Sequence, residues 1–248
     1  MRLTPLRLSR GMVLAAGLGQ RMRPLTADTA KPLLPLQGRS LLDHALDRLS
    51  QAGVEQAVVN AHWKAEKVAA ALAARNAAAP RTRLQLEPEL LETGGGIRRA
   101  LPLLGPDPFA VINGDAYWLE GPVPALDRLA AAFDPGPMDA LLLLIRTCSI
   151  EGAVGRGDFF LAPDGRLRRP RAHEIAPYLF GGVQVMSPAL LAAEAEGVFS
   201  LNRAYDRALA AGRLFGLVHD GVWFHLSTPA DLSRAERRLK DGLQRSFL

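Results

Sequence analysis

Two glycine-bearing stretches, a run of cations and a carboxylate at a strand end are the groups in this 248-residue chain whose spacing could do chemistry. The apolar run 12–16 (MVLAA) is broken by Gly17 and Gly19. Arg21, Arg23 and Lys31 follow, with Asp28 the only acid among them. Glycine has no Cβ, so backbone N–H groups there can close on an anion. A glycine turn after a buried strand, followed by three cations, reads as a phosphate cradle; the plainer alternative is a strand-to-helix turn with solvated cations. Two familiar phosphate loops are excluded. The run G-x-x-x-x-G-K-[ST] does not occur, and G-x-G-x-x-G/A fails at Met22, where a third small residue belongs.

The second stretch, LETGGG at residues 91–96, sets Glu92 before Gly94, Gly95 and Gly96. Three successive glycines cost chain entropy on folding, so a functional loop explains them better than a linker. A helix start capped by Glu92 or Thr93 is the alternative. Glu87 and Glu89 lie just upstream. Asn113, Gly114 and Asp115 close the apolar run that begins at Phe109. A carboxylate at the end of a buried strand is costly unless it is used. Asp115 suits Mg²⁺, which takes carboxylates together with substrate phosphates, or it caps the next loop. Residues 60–63 (NAHW) and 155–159 (GRGDF) read equally well as site or as scaffold.

The elements that must hold these groups alternate along the chain. Residues 41–52 have helical spacing (Leu41, Leu42, Ala45, Leu46, Leu49) and stop at Gly53. Strand-like runs are expected at 54–60, 83–87, 109–113, 140–145, 178–186, 214–219 and 222–226. Helices are expected at 66–76, 97–104, 124–133, 188–194, 201–211 and 230–245, and a hairpin joins 158–161 to Leu167. This alternation predicts an α/β fold with a mainly parallel sheet covered on both faces, whose sites lie outside the strand carboxyl ends. Residues 17–23, 60–63 and 113–115 all fall at such ends.

Composition sets bounds. The chain is 48% hydrophobic with a formal charge of +5, and no apolar run approaches the length of about 20 residues that spans a bilayer. The first ten residues carry three arginines but no apolar core, so no secretory signal is expected. The charges are scattered and aromatics are only 6%, which argues against nucleic acid and membrane and for small anionic partners. The lone Cys148 has no internal disulfide partner, suits a reducing cytoplasm and reads as a small packing residue.

The run LAAGLGQRMRPLT at residues 14–26, with Lys31-Pro32-Leu33, resembles the signature of the sugar-1-phosphate nucleotidylyltransferases. With residues 60–63, 91–96, 113–115, 155–159 and 223–228 added, the resemblance spans about residues 11–240. It is closest to the N-acetylmuramate α-1-phosphate uridylyltransferases of cell-wall recycling, with mannose-1-phosphate guanylyltransferases beside them. It implies a single domain over residues 1–248 with a Rossmann-like nucleotidyltransferase fold, its mixed sheet flanked by helices. About 11–120 would form a nucleotide-binding half, and 121–248 a smaller sugar-binding lobe and C-terminal helix, in a monomer or homodimer. It implies joining of an NTP, best UTP, to a sugar 1-phosphate with Mg²⁺ or Mn²⁺; a guanylyl- or cytidylyltransferase or a non-catalytic nucleotide-sugar binder are the alternatives. By resemblance, Leu14, Ala15, Ala16, Gly17, Gly19, Arg21, Arg23 and Lys31 hold the triphosphate. Glu87, Glu92, Gly94 and Gly95 face the base and ribose, while Asn113, Asp158 and Gly182 face the sugar. Arg21, Lys31 and Asp115 are the catalytic candidates. A second metal-ligating Asp usually stands in W-[VF]-D-[VI]-G-T; here His225 and Ser227 replace the Asp and Gly. His225 joins Asp115 as a metal candidate, although imidazole suits hard Mg²⁺ poorly. A water-mediated contact, a phosphate contact and Mn²⁺ remain open to it.

Overall fold

In the computed structural model the chain is described over residues 6–76, 78–150 and 155–242. The expectations for the first five residues, and for the helix end and tail beyond residue 242, lie outside that range. Seven strands form the central sheet: β1 (Arg10–Leu14), β2 (Gln56–Ala61), β3 (Arg81–Leu86), β4 (Phe109–Asn113), β5 (Ala140–Arg146), β6 (Tyr178–Met186) and β7 (Leu214–Val218). Their spatial order is β7-β5-β6-β4-β1-β2-β3. All neighbours run parallel except β6, which is antiparallel to both β4 and β5. Both halves of the chain therefore contribute to one sheet.

The inner strands are largely apolar because both faces are covered, whereas the edge strand β3 exposes Arg81 and Arg83. Along β1, Val13 packs on one face with α1 (Leu41–Gln51), α2 (Ala65–Ala74) and α4 (Ala125–Ala132), while its neighbour Met12 packs on the other with α3 (Glu92–Leu104) and α5 (Asn202–Ala210). The same alternation sends Ile112 and Val111 of β4 to opposite faces. A third cluster joins Met22, Leu34 and Leu36 to Tyr117, Phe224 and Leu232, so that α6 (Pro229–Lys240) packs over the loop that follows β1. That cluster includes a two-stranded ribbon, Tyr117–Leu119 with Val222–Phe224. Among the described residues no helix is long and apolar enough to cross a membrane.

Four local expectations are corrected. The first strand ends at Leu14 rather than Ala16, because the Ala15 N–H leaves the ladder and donates to the Asn60 side chain. Helix α3 begins at Glu92, five residues before its expected start, and takes in all three glycines. Residues 188–194 form only a short turn, Pro188–Leu191, because Glu194 folds inward to meet Arg207 and Arg203. Cys148 is exposed on the turn after β5, so it is not a packing residue.

Candidate active site

At the carboxyl ends of β1, β2 and β4 lies a cavity of about 380 Å³, within the range of roughly 300–1,000 Å³ common to small-molecule sites. Leu14 lines it from the end of β1, Ala16, Gly17 and Gly19 from the loop that follows, and Asn113 and Asp115 from the end of β4. Lys31 enters from the far side of the same loop.

The loop is built for close approach. Gly19 adopts φ +61, and a Cβ there would lie 3.2 Å from the Lys31 Cβ, so an L side chain would be both strained and crowded. Its carbonyl accepts from Thr26 Oγ1 at 2.8 Å and from the Met22 N–H at 2.9 Å, which closes the turn. Gly17 is different: a Cβ there would meet no protein atom within 4 Å. What Gly17 leaves room for is outside the protein. Gly114 draws the walls together, since its N–H donates to Leu14 O at 2.8 Å and a Cβ would meet Pro32 at 2.8 Å.

Lys31 Nζ donates to Asp115 Oδ2 at 2.6 Å; the lysine side chain is 12% exposed and the aspartate 41%. The cavity therefore holds one cation whose position is fixed by a carboxylate that still reaches solvent. Arg21 and Arg23 are exposed on the loop beyond Gly19 and do not line the cavity. Glu92 does line it, with φ +59, a left-handed conformation that costs a non-glycine residue about 1–3 kcal/mol and concentrates at functional sites.

Several expected site residues stand behind the wall rather than in it. The N–H groups of Gly94 and Gly95 both donate to Phe199 O, at 3.0 and 3.1 Å, so they are not free to bind a base. Glu87 is 3% exposed and takes the Asn60 amide at 2.8 Å, so it does not face a base edge. Asp158 accepts the Phe180 N–H at 2.9 Å and so anchors the start of β6. Gly182, at φ +76, packs with its missing Cβ 3.1 Å from Asn113, the cavity residue that it backs. Conversely, the cavity includes Asn60, Thr93 and Ser200, to which sequence reasoning gave no definite place in the site. Ser200 arrives because the 197–201 segment caps α3, with Leu201 N–H donating to Thr93 Oγ1 at 3.0 Å.

A metal would find two carboxylates lining this cavity, Asp115 and Glu92. No cluster of three or more His, Cys, Asp or Glu that could cage an ion exists among the described residues. Asp115, partly exposed, nevertheless fits Mg²⁺, which is commonly held by one or two carboxylates with substrate phosphates. His225 does not line this cavity; it shares a separate small pocket with Asp231, Arg234 and Arg238.

Asp231 closes the capping box of α6: its Oδ2 accepts the Thr228 N–H at 2.8 Å and its own N–H donates to Thr228 Oγ1 at 3.3 Å. Burial pushes the Asp231 carboxyl up, but hydrogen bonds from Thr228 and Ser227 and the nearby His225 outweigh it and hold it below the usual range. A depressed folded value means that its stabilisation is full above the unfolded value, about 3.9, and is lost as pH falls through the folded one. Asp231→Ala is therefore expected to cost about 1 kcal/mol at neutral pH. In melts taken at decreasing pH, the difference from the parent chain should shrink below about pH 4.

The chain is also similar to known proteins. The MobA-like NTP transferase domain matches residues 11–207. The N-acetylmuramate alpha-1-phosphate uridylyltransferase of Caulobacter vibrioides is 46% identical over 234 residues, 93% of this chain and 97% of the relative. The protein of the same name from Neisseria meningitidis is 35% identical over 229 residues, 92% and 96% of the two chains. In fold, the chain matches HddC from Yersinia pseudotuberculosis with a TM-score of 0.75 at 19% identity, over 94% of this chain and 100% of that one.

Proposed function

Because the chain belongs to the sugar-1-phosphate nucleotidyltransferases, within the MobA-like NTP transferase domain family, we propose that it joins UTP to N-acetylmuramate α-1-phosphate and releases pyrophosphate. One observation carries the reading: a single cavity gathers an open glycine turn and a Lys31–Asp115 pair at the strand carboxyl ends. The names of the two full-length relatives support the choice of base and sugar.

In this reaction a non-bridging oxygen of the sugar phosphate attacks the α-phosphorus of UTP in line. The new P–O bond forms as the bond to the α,β-bridging oxygen breaks, and pyrophosphate departs with that oxygen. The attacking phosphate has a second pKa near 6 and is largely ionised at neutral pH, so no side chain need remove a proton. The chain supplies position and charge. Gly17, Gly19 and the backbone of Leu14 and Ala16 hold the triphosphate, with Ala15 tied behind them to Asn60, and Lys31 offsets charge as the two phosphates converge. Arg21 and Arg23 draw the anions in from the surface. Glu92 faces the ribose and base, and Asn113, backed by Gly182, faces the sugar. Mg²⁺ held between Asp115 and the substrate phosphates would neutralise part of their charge, with Mn²⁺ as a substitute. His225 is given the different task of bracing Asp231 and the start of α6. The reaction belongs to the recycling of cell-wall sugars in the cytoplasm.

The test is pyrophosphate release across the four nucleoside triphosphates and the N-acetylmuramate, N-acetylglucosamine, glucose and mannose 1-phosphates. Fastest turnover is expected with UTP and the muramate. Turnover only with GTP and mannose 1-phosphate would keep the chemistry and overturn the substrates. Binding without turnover, Mn²⁺ included, would overturn the reaction itself.

A further inference from the structure

Behind the cavity wall, a buried carboxylate gathers donors from three directions. Glu87 is 3% exposed, Asn60 2% and Gln85 7%. Glu87 Oε1 accepts from Asn60 Nδ2 at 2.8 Å and, weakly, from Gln85 Nε2 at 3.5 Å, while Oε2 accepts the Leu91 N–H at 3.2 Å. None of the ion pairs among the described residues includes Glu87, so these N–H groups alone offset the cost of burying it. The other end of the Asn60 amide is also committed: Oδ1 accepts the Ala15 N–H at 2.8 Å. With a donor on one side and an acceptor on the other, this amide has only one satisfactory orientation. Gly96 packs against the pair so closely that a Cβ would lie 2.8 Å from both Asn60 Nδ2 and Glu87 Oε1.

The chain of bonds runs from Leu91, which precedes Glu92 and Thr93 of the cavity wall, through Glu87 and Asn60 to Ala15, two residues before Gly17. It spans the two glycine stretches. We infer that Glu87 is a positioning residue, which fixes the phosphate turn relative to the 90–93 wall by orienting the Asn60 amide. That triphosphate occupies the gap rests on the function proposed above; the relay itself does not.

The relay has a polarity that substitutions can reverse. All three partners of Glu87 are donors, so Glu87→Gln must aim an NH₂ at one of them. Asn60→Asp sets a second buried carboxylate against Glu87. In the double variant the main bonds close again: the carboxylate introduced by Asn60→Asp accepts from both the Ala15 N–H and the new glutamine amide, and the glutamine carbonyl accepts from the Leu91 N–H, while Gln85 Nε2 gives up only its 3.5 Å contact and keeps Gly96 O at 2.9 Å. The experiment compares both single variants, the double and the parent by hydrogen exchange at Ala15 and Leu91, and by the dissociation constant for UTP. Each single change is expected to speed exchange at both amides and to weaken UTP by about tenfold or more, as an unsatisfied buried group would. The double variant is expected to recover both readouts to within about threefold, since the paired changes are not additive. A double variant as loose as the singles, or singles that stay protected, would overturn the relay. Loosened amides with unchanged UTP affinity would overturn its positioning role. A parent chain that fails to bind UTP would strike the proposed substrate, and the exchange data would then decide the relay alone.

Discussion

Replacing Lys31 with alanine is expected to lower turnover by a factor of about a hundred to a thousand while the protein stays folded. The magnitude is that of removing one fixed donor aimed at developing charge in a water-poor site. Lys31 has a further consequence because of its neighbour. It neutralises Asp115 at 2.6 Å, and without it the same cavity presents a bare carboxylate to incoming phosphates. Lost attraction and added repulsion act in the same direction. The fold should tolerate the change, because Lys31 lines the cavity and its ammonium is bound there to Asp115. Asp115, 41% exposed, can be solvated when unpaired, so removing Lys31 leaves no buried charge behind. Asp115→Ala should reduce turnover comparably but lower the melting temperature more, because it leaves the 12%-exposed Lys31 side chain without its partner. Steady-state pyrophosphate release beside a thermal melt decides the matter. A folded Lys31→Ala chain with turnover within about threefold of the parent would remove Lys31 from the chemistry.

Much of this site could be read along the chain because its parts adjoin strand ends. Gly17, Gly19, Asn113 and Asp115 lie within a few residues of apolar runs that are strands β1 and β4, and the rule of carboxyl-end sites brings them together. What could not be read is what distant segments do to a local pattern. Three glycines are poor helix formers, yet they open α3 because Gly197 and Phe199 pack against Gly95 and Gly94, and Asn60 and Glu87 against Gly96. Ser200 has no local signal at all; hydrogen bonds from Gly94 and Gly95 to its neighbour Phe199 bring it in. Glu87 was legible as a carboxylate near the nucleotide side but not as a buried one, since burial depends on Asn60 and Gly96 arriving from separate elements. The ribbon that joins Tyr117–Leu119 to Val222–Phe224 is equally invisible locally, because its strands are about a hundred residues apart.

Gly95→Ala and Gly17→Ala should separate the two uses of glycine in this chain. Helix propensity alone says that alanine at position 95 should stabilise α3 by about 1 kcal/mol. Packing says the opposite, and by more. A Cβ at Gly95 would stand 2.1 Å from Gly197 O and 3.1 Å from Leu91 Cβ. The obstacle is backbone, whose carbonyl cannot rotate away as a side-chain tip could, and both Gly94 and Gly95 are tied to Phe199 O. The 197–200 segment must therefore shift, which loosens α3 and withdraws Ser200 from the cavity. Overpacking of this kind costs about 1–3 kcal/mol, and at roughly 2–4 °C per kcal/mol for a chain of this size the melting temperature should fall by several degrees. Gly17→Ala meets open space, and it should leave the melting temperature unchanged or slightly raised. Its effect should fall on the triphosphate, whose close approach the added methyl blocks, and appear as a raised KM for the nucleotide. The opposite pattern, a stable Gly95→Ala chain beside a Gly17→Ala chain with an unaltered KM, would mean that neither glycine is required for the reason its surroundings give.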